Sequence, residues 1–344
     1  MQQPQANAGI LSFATYITRY YHDADYIGAH SHTPADVIRK KIGWTQKNVP
    51  GPGDHTVEMG LRASRKTLYY SGLQPEDIDL VIWSGEEYKE YRSWPVGPKV
   101  QKELGLKKAW SFDMQQRCGT TVAAMKLARD MIRGDSSINN ILIATGYRNS
   151  DLIDYNDEEA RFMLYLAAGG AACIVQRDCP KNQILESHII SDGSFSGDVL
   201  VPAGGAAKPM TKQALLNNEY RATCVDPEGM KKRLEMKSLS NWLISIDKAL
   251  EKSGYTRKDI DYVAMILVKR SAHDYLMNQL GVKPHQTRYL GEFGHHGQND
   301  QILSLELAIE ENLVKDGDLV LVISAGIGYA WDSLLIRWGE NKAK

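Results

Sequence analysis

One passage occurs twice in this chain, and that repetition restricts the possible folds more than any other feature. SGLQPEDIDLVIW begins at Ser71 and SGYTRKDIDYVAM at Ser253, an offset of 182 residues (253 minus 71), with Ser-Gly, Asp-Ile-Asp and a Val in common. In each copy a helix-like segment, RASRKTLYY or SIDKALEK, ends at Gly72 or Gly254, and a continuous apolar run follows that reads as a buried strand. Further along, ELGL ending at Leu106 answers QLGV ending at Val282, and NNILIATG ending at Gly146 answers DLVLVISAG ending at Gly326. Matches in one order at nearly constant separation predict a duplicated α/β half.

The runs DLVIW, NILIAT, VAMILV and LVLVIS are short, rich in Val and Ile and nearly unbroken in apolarity, as strands covered by helices on both faces should be. Two halves related by a pseudo-twofold, residues 1–180 and 181–344, are expected to pack as layered sheets around a central helical layer. Asp192 to Met230, with GGAAKP in its middle, lacks periodicity and is expected to form surface loops or a cap.

Of the 344 residues 43% are hydrophobic, ample for a core, and 41 Lys plus Arg against 42 Asp plus Glu leave no basic surplus to hold a nucleic acid. No apolar run approaches a membrane span, and no basic residue precedes Arg19 to begin a signal peptide, so a cytoplasmic protein is expected. Four cysteines without CxxC pairing are expected to be free thiols.

Cys118 follows the strand-like WSFDM and precedes the helix-like TTVAAMKLARDMI. A thiol at that junction faces unpaired N–H groups and the positive end of a helix dipole, which favours its thiolate and marks it as a candidate nucleophile. The competing reading is a small buried hydrophobe. Adding the repeat offset to Cys118 lands near residue 299, within YLGEFGHHGQNDQILSLELA, again a strand-like run, a polar turn and a helix. That turn carries His295, His296, Gln298, Asn299 and Asp300. Equivalent turns approach one pseudo-symmetry axis, so a thiolate from one half is expected to meet imidazoles and amides from the other, as nucleophilic acyl transfer requires.

These residues carry a resemblance to the thiolase superfamily, and within it to ketoacyl-acyl carrier protein synthase III. FDMQQRCGTTVAAM resembles the family's strand and nucleophilic turn, GIGYAWDSLLIRW its glycine-rich C-terminal signature, and TPADVIRKKIGWTQKNVPGPGDHTVEMGLRASRKTL, more weakly, its N-terminal stretch. The resemblance implies a thiolase-like α/β fold of two pseudo-symmetric βαβαβαββ halves in a layered αβαβα arrangement. It also implies an acyltransferase that loads Cys118 from an acyl-CoA or acyl carrier protein thioester and serves fatty acid or polyketide biosynthesis, as a homodimer without a tightly bound cofactor or metal. The acyl group would then pass to an acceptor by Claisen-type condensation; alternatives are transfer to a hydroxyl or amine, or a non-catalytic partner subunit.

Where the family has its active-site His, this chain reads LVKRSAH, placing Arg270 there with His273 three residues on, while Asn299 falls at the family's Asn. The resemblance therefore implies Cys118 and Asn299 as catalytic residues with an imidazole from His295, His296 or His273, of which His295 is taken as catalytic, and Arg270, His273 and His296 beside the substrate. An acidic base is implied in IWSGEEYKEYRSWP, with Glu86, Glu87 and Glu90 as candidates and Glu87 the one chosen; the competing reading is a solvated charged loop. Trp44 and Arg39 fall where relatives contact the acyl donor, and Gly326 and Gly328 belong to the glycine-rich signature.

Overall fold

The structure, a computed structural model, describes residues 6–86 and 88–340. Its first strand, β1 (Ala8–Ile17), lies at the middle of a nine-stranded sheet. A small antiparallel pair, β2 (Tyr20–Asp23) and β3 (Gln46–Val49), brackets α1 (Ala24–His30) and the one-turn α2 (Ala35–Val37). The first half continues through α3 (Thr56–Ser71), β4 (Leu80–Ser84), α4 (Gly97–Glu103), β5 (Trp110–Met114), α5 (Thr120–Gly134), β6 (Asn140–Tyr147) and β7 (Gly169–Arg177). The second opens with β8 (Lys181–Ser191) and passes through β9 (Val199–Leu200), α6 (Lys212–Leu216) and β10 (Thr223–Cys224). It then forms α7 (Pro227–Ser253), β11 (Tyr262–Met265), α8 (Arg270–Leu280), α9 (Asp300–Glu310), β12 (Leu319–Gly326) and β13 (Ala330–Glu340).

The repeat is visible residue by residue. α3 and α7 end at Gly72 (φ 72°) and Gly254 (φ 77°), both left-handed, a conformation that costs glycine little. A 3-10 turn follows each, closed by Asp77 or Asp259 reaching back to the backbone N–H of Gln74 or Thr256, and the chain then enters β4 or β11.

The sheet runs β11-β12-β13-β8-β1-β7-β6-β4-β5. Outward from the middle, each half presents its first strand, then its last, then the penultimate one, then the strand after the repeated turn. β1 and β8, the two first strands, meet antiparallel with Gly9 opposite Gln183. On one side β6, β4 and β5 are parallel, as β12 and β11 are on the other, and Thr287 bridges to Val263 where a further strand would lie.

Alternation along the strands separates the layers. Leu80 and Ile82 of β4 share one core with Val320 and Val322 of β12, and α5 (Val122, Met125, Ile132) and α9 (Ile302, Leu305) fill the space between them. Val81 and Trp83 face the opposite way, under Val57 and Leu61 of α3. In the second half Val263, Leu321 and Leu335 lie against Trp242 and Ile246 of α7 and Leu276 of α8. The result is the layered αβαβα arrangement expected, with α5 and α9 as the central layer and each fully buried aliphatic side chain contributing roughly 1.5–3 kcal/mol. α3 approaches the sheet closely because Gly146 and Gly170 lack side chains; a Cβ at either would collide with the backbone carbonyl of Thr56 or Met59.

Candidate active site

β5 ends at Met114, and the chain turns through Gln116, Arg117 and Cys118 into α5, whose N-cap is Gly119. Arg117 holds a left-handed φ of 53°, and Thr120 Oγ1 accepts the Gln116 N–H at 2.8 Å while Ser324 Oγ donates to the Cys118 carbonyl at 2.8 Å. The turn is thus pinned from both halves, and Gly326, the last residue of β12, lets it close: a Cβ there would come 2.6 Å from the Gln116 carbonyl.

From the other half the turn before α9 brings His295, whose Nε2 lies 3.2 Å from Cys118 Sγ. The ring's Nδ1 is 2.5 Å from Asp300 Oδ2. Asp300 is itself wholly buried and accepts backbone N–H groups from Leu267 and His296, each at 2.7 Å, so its carboxylate is fixed in direction. Burial alone would depress the His295 imidazolium, but Asp300 and Cys118 outweigh it and hold the ring well above its ordinary range. Burial pushes the Cys118 thiol up, and His295 opposes that. The 3.2 Å contact lets a proton pass between sulfur and Nε2, and Asp300 favours the protonated ring.

Glu86, just past β4, places Oε1 3.9 Å from Cys118 Sγ. Its Oε2 accepts Asn149 Nδ2 at 2.6 Å and lies 3.5 Å from Arg117. These groups line one end of a cavity of about 60 Å³; Leu152, Met163 and Leu166 line the rest with Val199, Leu200 and Ala222, which come from the irregular 192–230 stretch. That stretch is therefore a cap over the thiol.

The other residues singled out from sequence lie as follows. Asn299 is buried at the N-cap of α9, donating to the Gly169 carbonyl at 3.1 Å. His296 is buried between Asn48 and the Phe293 carbonyl, 3.1 and 3.2 Å from Nε2. Arg270 stands exposed at the start of α8, paired with Asp274 at 2.8 Å and stacked over Tyr289. His273, one turn on, is buried with Thr287 3.4 Å from its Nε2. Trp44 is 1% exposed, leaving its indole no free surface, and Arg39 pairs with Asp25. Gly328 bends the β12–β13 connection with φ 118°. Glu87 lies outside the described residues, and Glu90 accepts the Val57 N–H at the start of α3. Asn149 and Arg117 carried no signal of their own in the sequence: they join the site only through the approach of β4, β6 and the α5 turn. Among the described residues no cluster of His, Cys, Asp and Glu is arranged to hold a metal ion, and no helix is long and apolar enough to cross a membrane.

Comparison with known proteins agrees with this geometry. The family 3-oxoacyl-(acyl-carrier-protein) synthase III matches residues 112–193, and its C-terminal region matches residues 250–338. A β-ketoacyl-(acyl-carrier-protein) synthase III of Synechocystis is 24% identical over 89% of this chain and 90% of its own length. Another, of Brucella anthropi, is 27% identical over 89% and 91%. The crystal structure of the Pseudomonas aeruginosa 3-oxoacyl-(acyl carrier protein) synthase III superimposes with a TM-score of 0.83 at 18% identity, over 98% of this chain and all of that one. With a duplicated α/β half, a cysteine at the head of one central helix and both family segments in place, the chain belongs to the thiolase superfamily, as a ketoacyl synthase III-like protein.

Proposed function

We propose that the protein is an acyltransferase that loads an acyl group onto Cys118 from an acyl-CoA or acyl carrier protein thioester and passes it to a carbon acceptor in a Claisen-type condensation. The observation that carries this reading is the line Asp300–His295–Cys118 ending at a capped cavity that also holds a carboxylate, Glu86.

In the first step the Cys118 thiolate attacks the thioester carbonyl. The tetrahedral adduct collapses, the donor leaves as a thiolate, and His295 Nε2 returns the proton to it. In the second step Glu86, held by Asn149, takes a proton from the α-carbon of an acceptor thioester. The carbanion attacks the acyl carbonyl, and Cys118 Sγ departs as thiolate. Glu86 fills the role for which Glu87 was chosen from sequence, and a base 3.9 Å from the sulfur favours condensation without decarboxylation. The same carboxylate could deprotonate a hydroxyl or amine, so transfer to oxygen or nitrogen is the second reading. The outer edge of β5 ends the sheet and carries a half-exposed Trp110, and we assign this edge to a homodimer contact.

Intact-protein mass spectrometry after incubation with a panel of acyl-CoA and acyl carrier protein thioesters tests the reading. An acyl adduct on Cys118, discharged by an acceptor thioester with a new carbon–carbon bond in the product, supports it. No adduct with any donor refutes it, and discharge only to alcohols or amines selects the second reading.

A further inference from the structure

Along β13, Leu334, Ile336 and Trp338 face the central core, and the same face begins with an acid, Asp332. Its side chain is wholly buried, and among the described residues neither carboxylate oxygen has a hydrogen-bond partner. A bare buried carboxylate is strongly disfavoured over its protonated form.

The surroundings are specific. A Cβ on Gly119 would collide with Asp332 Oδ2 and come 3.3 Å from Gln116 Oε1, so both oxygens crowd the N-cap of α5, one residue from Cys118. Gln116 Oε1 is likewise buried without a partner. Both acceptors lie against Gly119, where a single proton between them would satisfy both. The neighbouring strands bring Ser324 on β12, whose hydroxyl is spent on the Cys118 carbonyl, and Ile189 on β8. From α9, Gln301 donates to the Ile323 carbonyl. The charged or titratable groups on the α5 side are Cys118 with His295 and Asp300, and Arg117, which is paired with Glu86.

We propose that Asp332 is a positioning residue: protonated, it donates its O–H to Gln116 Oε1 and fixes the turn that presents Cys118, whereas ionised it sets an anion beside that turn and disfavours the thiolate. This rests on Cys118 being the nucleophile. Burial holds the Asp332 carboxyl up at about 8, so the change falls just above neutrality. The anion would compete with the thiolate for the positive end of α5.

Alkylation of Cys118 by iodoacetamide, followed by mass spectrometry between pH 6 and 10, tests this without needing a substrate. Asp332→Asn keeps an N–H donor for Gln116 Oε1 and cannot ionise. The ratio of its rate to that of the unaltered protein is expected near one at pH 6.5 and at least threefold at pH 9.5, with its midpoint near pH 8. A flat ratio, or a variant slow at every pH, overturns the proposal while leaving Cys118 as nucleophile. Failure to alkylate Cys118 at any pH overturns both. Should the variant not fold, infrared difference spectra of the unaltered protein decide: a protonated carboxylic acid that is lost between pH 6.5 and 9.5 supports the proposal, and its absence at pH 6.5 refutes it.

Discussion

His295 Nε2 and Cys118 Sγ lie 3.2 Å apart, although 177 residues of chain separate them. Two turns from opposite halves, each at the head of a central helix, must be in register for that contact to form. Replacing Cys118 with Ala is expected to abolish acyl-adduct formation altogether. His295→Ala removes the proton acceptor and is expected to slow adduct formation by about 10²–10⁴-fold. Asp300→Asn should cost nearly as much, because an amide oxygen orients the ring yet carries no charge to favour its protonated form. Single-turnover rates read by intact mass give all three values.

On the proposed mechanism Glu86 serves only the second half-reaction. Glu86→Gln preserves the shape and the neighbours Asn149 and Arg117 but cannot accept a proton from carbon. Adduct formation on Cys118 is expected within a few-fold of the unaltered rate, with discharge to an acceptor thioester lowered at least about 10²-fold. Equal slowing of both steps would show Glu86 acting on Cys118 itself rather than on the acceptor.

How much of this was readable beforehand follows from the range of each signal. The Ser-Gly and Asp-Ile-Asp repeat marks a local unit of helix end, turn and strand, and the structure reproduces it at Gly72 and Gly254 with the same capping aspartates. Cys118 before TTVAAMKLARDMI was legible for the same reason, since a strand–turn–helix junction is a short-range pattern. The partners of Glu86 were hidden because Asn149 and Arg117 lie 63 and 31 residues away and reach it only when the strands align. Asp332 was hidden for the opposite reason: it sits in an apolar strand whose alternation identifies the face but not what crowds it. Packing around Trp44 and the pairing of Arg39 with Asp25 were likewise hidden, because each depends on neighbours that no short sequence pattern specifies.

Close approach of α3 to β6 gives a prediction independent of chemistry. Gly146→Ala drives a methyl into the Thr56 carbonyl, a backbone atom that cannot step aside without moving the start of α3. The variant is expected to lose about 1–3 kcal/mol in denaturant melts, with the midpoint shifted and the slope unchanged.

Lys47 on β3 supplies a test in which pH sets the size of the effect. Its ammonium is wholly buried with no hydrogen-bond partner among the described residues, over the Tyr155 ring at 5.0 Å, and burial lowers it to about 7, with Asp151 only partly offsetting. Below pH 7 both folded and unfolded chains hold the proton, and the folded state bears the full cost of burying the charge. Between pH 7 and the unfolded value of 10.5 only the unfolded chain stays protonated, so this group's contribution to stability rises with pH and levels off above that range. Lys47→Met keeps the volume and removes the charge, so it is expected to stabilise the fold by about 2–5 kcal/mol near pH 6, the order that a shift of this size implies. The gain should shrink toward zero by pH 10, and urea melts across that range, comparing variant and unaltered protein at each pH, measure it. A gain that does not vary with pH would mean that packing alone, not the buried charge, governs this position.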